Sequence, residues 1–137
     1  MRTVSALIAA LIATGTAAAG EADVTDVQVT ASANGFRFAV TVRHDGAGWD
    51  HYADRWEVVG PGGEVLAVRV LAHPHENEQP FTQVLAGVEF ASEIRRVRIR
   101  AHDSVHGDGG AALDVELPRL SAALKRARMP ASARQAR

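Results

Sequence analysis

Between residues 23 and 117 apolar side chains fall at alternate positions. Phe36, Phe38, Val40 and Val42 are separated by Arg37, Ala39 and Thr41, the two-residue period of a strand with one face buried. Runs of the same kind cover residues 24–30, 55–59, 65–71, 80–85, 94–101 and 111–117. Turn chemistry divides them: Asn34-Gly35 accepts positive φ, and Pro61-Gly62-Gly63 suits a tight reversal. The pattern predicts an all-β domain, a seven-stranded antiparallel sandwich of immunoglobulin or fibronectin type III kind, with an up-and-down barrel as the alternative. Trp56 falls on the third strand, where such sandwiches bury a tryptophan.

The two ends of the chain depart from this pattern. Arg2 precedes an apolar run at residues 4–12, and Ala17-Ala18-Ala19 follows. That order reads as a secretory signal peptide over 1–20, cleaved near Ala19/Gly20, and its apolar run is too short to span about 30 Å of hydrocarbon. The expected location is periplasmic or secreted. Residues 118–137 form a basic tail, disordered or a short helix, in which Leu120, Ala123, Leu124 and Ala127 have helical spacing. The sandwich itself occupies 21–117.

Composition sharpens the picture in two ways. The 137 residues contain no cysteine, which excludes a disulfide framework or a thiolate metal scaffold. The net charge of −1 hides a division, because residues 21–117 hold all 16 acidic groups and eight arginines, whereas the tail holds six basic groups and no acid. The tail therefore suits an anionic membrane surface or a protein partner. Arg96, Arg98 and Arg100 share one strand face, but Asp114 and Glu116 stand in the matching phase of the next strand, as do Arg55 and Glu57 on the third. Cross-strand charge pairs account for that face, and no nucleic acid is expected to bind it.

The six histidines come as three pairs, in the connections after the second, fourth and sixth strands. Those connections lie at one end of a sandwich. His44, His51, His73, His75, His102 and His106 are therefore candidate metal ligands, with Asp103 as a ligand or a supporting acceptor. Other carboxylates are interleaved, among them Asp45, Asp50, Asp54, Glu76, Glu78 and Asp108. Imidazole with carboxylate suits a divalent transition metal such as Zn²⁺, Cu²⁺ or Fe²⁺. Alternatives are a pocket lined by histidine and aromatic side chains without metal, as in a periplasmic interaction or small-ligand-binding module, and ordinary loop hydrogen bonding. Trp49 and Tyr52 are expected in the upper core, or as a shield over the polar cluster. Ser104 lies between His102 and His106, but no nucleophile elbow surrounds it.

The segments His51-Tyr52-Ala53-Asp54-Arg55-Trp56-Glu57-Val58, His73-Pro74-His75 with Glu78-Gln79-Pro80-Phe81, and Arg100-Ala101-His102-Asp103-Ser104-Val105-His106-Gly107 resemble an uncharacterised family of small exported proteobacterial proteins. More distantly, the layout resembles the desulfoferrodoxin or superoxide reductase family, an immunoglobulin-like sandwich whose iron is held by four histidines and one cysteine. His44 is similar to that family's strand-end histidine, and His51-Tyr52 to its His-Tyr-x-x-Trp segment, although Trp56 lies one position late. His106-Gly107 is similar to the end of its Cys-Asn-x-His-Gly loop, with Asp103 in place of the cysteine. A further N-terminal histidine has no counterpart unless His73, His75 or His102 replaces it. The resemblance implies a metal site at this end and, through the family, redox chemistry. The missing thiolate removes the group that donates electron density to that iron.

Overall fold

The structure is a computed structural model that describes residues 20–75 and 77–134. The leader expected before Gly20, Glu76 and the last three tail residues lie outside the described residues.

The chain folds mostly into β-structure, as two antiparallel sheets. β1 (Asp23–Ser32), β2 (Gly35–Arg43) and β5 (Phe81–Val88) form one, in the order β1-β2-β5; β3 (Ala53–Val59), β4 (Val65–Val70), β6 (Arg96–Asp103) and β7 (Leu113–Glu116) form the other, in the order β4-β3-β6-β7. The alternation along each strand decides what lies between the sheets. Phe38, Val40 and Val42 of β2 face Trp56 and Val58 of β3 and Val97, Ile99 and Ala101 of β6, all buried. Each of the valine, isoleucine and phenylalanine side chains among them contributes about 1.5–3 kcal/mol by leaving water. Gly35 closes the first hairpin at φ +118°, where a Cβ would lie 2.9 Å from the backbone of Gly87.

On the outer face of the second sheet, charge pairs cross the strands. Arg98 Nε donates to Asp114 Oδ1 at 2.8 Å, and Arg100 lies 3.4 Å from Glu57. Glu57 differs from the expected solvent-facing position: Arg55 and Arg100 cover it and leave it buried. The arginine side chains that shield the carboxylate are themselves about one third exposed.

After β7 the tail returns to the sandwich. Leu117 is buried and Leu120 packs on the core. Ser121 caps α1 (Ala122–Arg128) by accepting from the Leu124 N–H, and the Arg128 guanidinium sits 4.6 Å over the Phe36 ring. A second helix, α2 (Ala131–Arg134), follows.

Candidate metal centre

Two strands end by delivering polar side chains in the inward phase. Val40, Val42 and His44 fall on one face at the end of β2, and Val97, Ile99, Ala101 and Asp103 on one face of β6. Both polar residues consequently stand at the top of the core, His44 at 3% and Asp103 at 0% exposure. The His44 Nε2 makes a short contact with Asp103 Oδ2. The Gln79 side chain fixes the His44 backbone, accepting its N–H at 2.7 Å while donating to the His75 carbonyl.

The other two imidazoles come from loops anchored to this floor. A short 3-10 turn, Gly48–Asp50, leads into His51, whose carbonyl accepts the Ala47 N–H at 2.8 Å. Gly46 allows this closure, because a Cβ there would lie 2.6 Å from the His51 carbonyl oxygen. His106 rides on a turn in which Asp103 and Gly107 exchange both backbone hydrogen bonds, with Gly107 at φ +71°. Ser104 and Tyr52 stitch the two loops together through a backbone bond of 2.9 Å and a hydroxyl bond of 3.0 Å.

These residues converge on a small volume. His51 Nε2 lies 2.8 Å from Asp103 Oδ2 and 3.1 Å from His106 Nδ1, which is itself 3.1 Å from Asp103 Oδ1. The Gly20 carbonyl oxygen joins them, at 2.9 Å from His44 Nε2, 2.8 Å from His51 Nε2 and 3.1 Å from His106 Nδ1. One ligand atom each from His44, His51 and Asp103 lies within 4.8 Å of the others, a grouping able to hold a metal ion.

Hydrogen bonding alone does not complete this cluster. Seven close approaches link three ring nitrogens, the carboxylate and the Gly20 carbonyl. Each ring nitrogen carries at most one proton, so at most three of the seven can be hydrogen bonds with a proton of their own. The other four bring electronegative atoms together with no proton directed between them, an arrangement that a cation relieves. Adjacent ligands about 2.1 Å from a shared cation are themselves roughly 3.0–3.4 Å apart; the His51–His106 and His106–Asp103 spacings of 3.1 Å meet this range, and the His44–Asp103 contact is shorter and would have to open. Burial by itself would raise the Asp103 pKa, but the backbone N–H groups of His106 and Val105, with the His44 ring, outweigh it and hold the carboxyl below its ordinary value. An ionised carboxylate is the form that ligates metal.

The remaining candidates lie apart from this centre. His102 takes the outward phase of β6 and its Nδ1 pairs with Asp54 Oδ1 at 2.6 Å. His75 is buried and stacked on Phe81 at 4.1 Å, with His73 against it at 4.3 Å. Together with Pro74 and Gln79, His75 walls a small cavity beside His44 and His51. Trp49 corrects the expectation of an upper-core position: it is 66% exposed and meets Tyr52 edge-on, because the 3-10 turn points it away from the sheets. Gly20 is the participant that sequence reasoning missed, since a backbone carbonyl leaves no mark in residue identity.

No protein-family model matches the chain, and no solved structure matches it. The desulfoferrodoxin resemblance therefore has no support beyond its short motifs. The chain is 39% identical over 97 residues to a protein of Halomicrobium mukohataei named "Putative lipoprotein". That match covers 70% of this chain and 47% of the relative, so the chain spans about half the relative's length.

Proposed function

We propose that this chain is an exported sandwich domain of immunoglobulin or fibronectin type III kind that binds one divalent transition metal ion through His44, His51, His106 and Asp103. The sheet orders β1-β2-β5 and β4-β3-β6-β7 fit that fold. Export is supported by the apolar leader followed by small residues and by the relative's description as a lipoprotein. Metal binding rests on one observation, the convergence of three imidazole nitrogens on a buried carboxylate with too few protons to satisfy them. Three neutral nitrogens and one anionic oxygen suit Zn²⁺, Cu²⁺ or Fe²⁺. His44 and Asp103 supply a buried floor and His106, about one third exposed, an accessible lip.

The test is a titration of metal-free protein with each of the three ions, followed by thermal unfolding. An ion that binds the native state alone adds about 2.7 kcal/mol at one hundred times its dissociation constant. The gain should be abolished in His44→Ala, His51→Ala and His106→Ala. No gain with any ion, or a gain indifferent to all three variants, would overturn the reading.

A further inference from the structure

The Gly20 carbonyl brings a backbone oxygen to the three imidazoles, and its position coincides with the expected end of the leader. Its oxygen lies within hydrogen-bonding distance of all three imidazole nitrogens. A side chain here would press on the proposed ligands themselves: a Cβ on Gly20 would stand 2.5 Å from His51 Cε1 and 2.8 Å from His106 Cε1, ring atoms rather than the backbone of the core. Immediately upstream, Ala17 and Ala19 provide the small-x-small pattern that a leader peptidase cleaves after its second member. Hydrolysis there consumes one water, leaves a carboxylate on Ala19 and frees the α-amine of Gly20.

We propose that Gly20, as the amino terminus of the processed chain, is a metal ligand, closing a five-membered chelate through its carbonyl oxygen and its new α-amine. The amine nitrogen and the carbonyl oxygen have only Cα and the carbonyl carbon between them, so with one ion they close a ring of five atoms. The inference rests on the metal-binding reading above and adds a consequence to it. Before cleavage the nitrogen is an amide, a poor ligand, so the complete donor set exists only after export. The metal is then chosen from what the exported compartment holds.

The test uses the full chain expressed with its leader, exported and purified, with its mass fixing the first residue. The protein has a single lysine, Lys125 of α1, which lines a cavity with Phe36 at the end of β2 opposite His44, so an amine-reactive label has two targets, Lys125 and the α-amine. With one equivalent of Zn²⁺ or Cu²⁺ the α-amine should become protected while Lys125 labels as before. Gly20→Ala, likewise exported, should bind the ion at least about tenfold more weakly, the loss that even supporting partners of ligands produce, with the metal-free melting temperature preserved. A first residue other than Gly20 overturns the proposal. So does tight binding with unchanged amine labelling and an unaffected Gly20→Ala variant, which would leave the histidine and aspartate site standing. Absence of metal binding in every form would overturn both.

Discussion

Asp103 carries two duties at once, and they separate by substitution. One carboxylate oxygen accepts the backbone N–H groups of Val105 and His106 at 2.7 and 2.6 Å, and the other faces His44 and His51. Asp103→Asn keeps an acceptor for the turn but removes the negative charge. It should lower metal affinity by roughly 100-fold or more, with the metal-free unfolding midpoint nearly preserved. Asp103→Ala removes the acceptor as well and strands two turn N–H groups, at a cost of about 3 kcal/mol in the absence of metal. Urea unfolding of metal-free protein distinguishes the two, and equal destabilisation would contradict the division of roles. His102→Ala and His73→Ala should leave metal affinity within about threefold of the parent, because neither ring reaches the cluster; calorimetric titration measures it, and a large loss in either would place the site elsewhere.

At the scale of the strand, much of this was legible. The two-residue period that marks Phe38, Val40 and Val42 as core also carries His44 inward, and the period of Ile99 and Ala101 carries Asp103 inward and His102 outward. Grouping six histidines by loop alone mixed the two phases of β6, because proximity to one end of a sandwich is weaker information than the direction of a side chain. His51 and His106 lie in loops without a period, so only the turn geometry places them. Trp49 was unreadable for the same reason. The outer-face charge pairs were visible as matched alternation and give a pH prediction. A hydrogen bond from Arg98, partly opposed by desolvation and aided by the charges of Arg98 and Arg96, holds the Asp114 carboxyl below its ordinary value. A depressed carboxylate contributes stability above its unfolded pKa, about 3.9, and loses it as pH falls through the lower folded value. Asp114→Asn should therefore unfold alike with the parent at pH 2, and fall slightly below it from about pH 4 upward. The pair is exposed, so about 1 M salt should shrink the difference. Urea midpoints across that range check it, and a difference present only at pH 2 would contradict the assignment.

For the whole molecule, the absence of cysteine leaves the core to hold the sheets together. Trp56 is its largest fully buried side chain, and Trp56→Ala should cost about 3–5 kcal/mol, a large share of the roughly 5–15 kcal/mol typical of a domain. Denaturant unfolding measures that loss, and a cost below about 1 kcal/mol would contradict the packing described. On this core the two sheets carry His44 and Asp103 to one rim, and the loops close over them with His51 and His106. The most direct measurement of that arrangement is nuclear magnetic resonance of the six histidine rings as one equivalent of Zn²⁺ is added to metal-free protein. The ring nitrogens of His44, His51 and His106 should shift together and saturate at one ion per chain, with those of His73, His75 and His102 nearly unmoved. Saturation with a different set of rings, or no shift at one equivalent, would contradict the account.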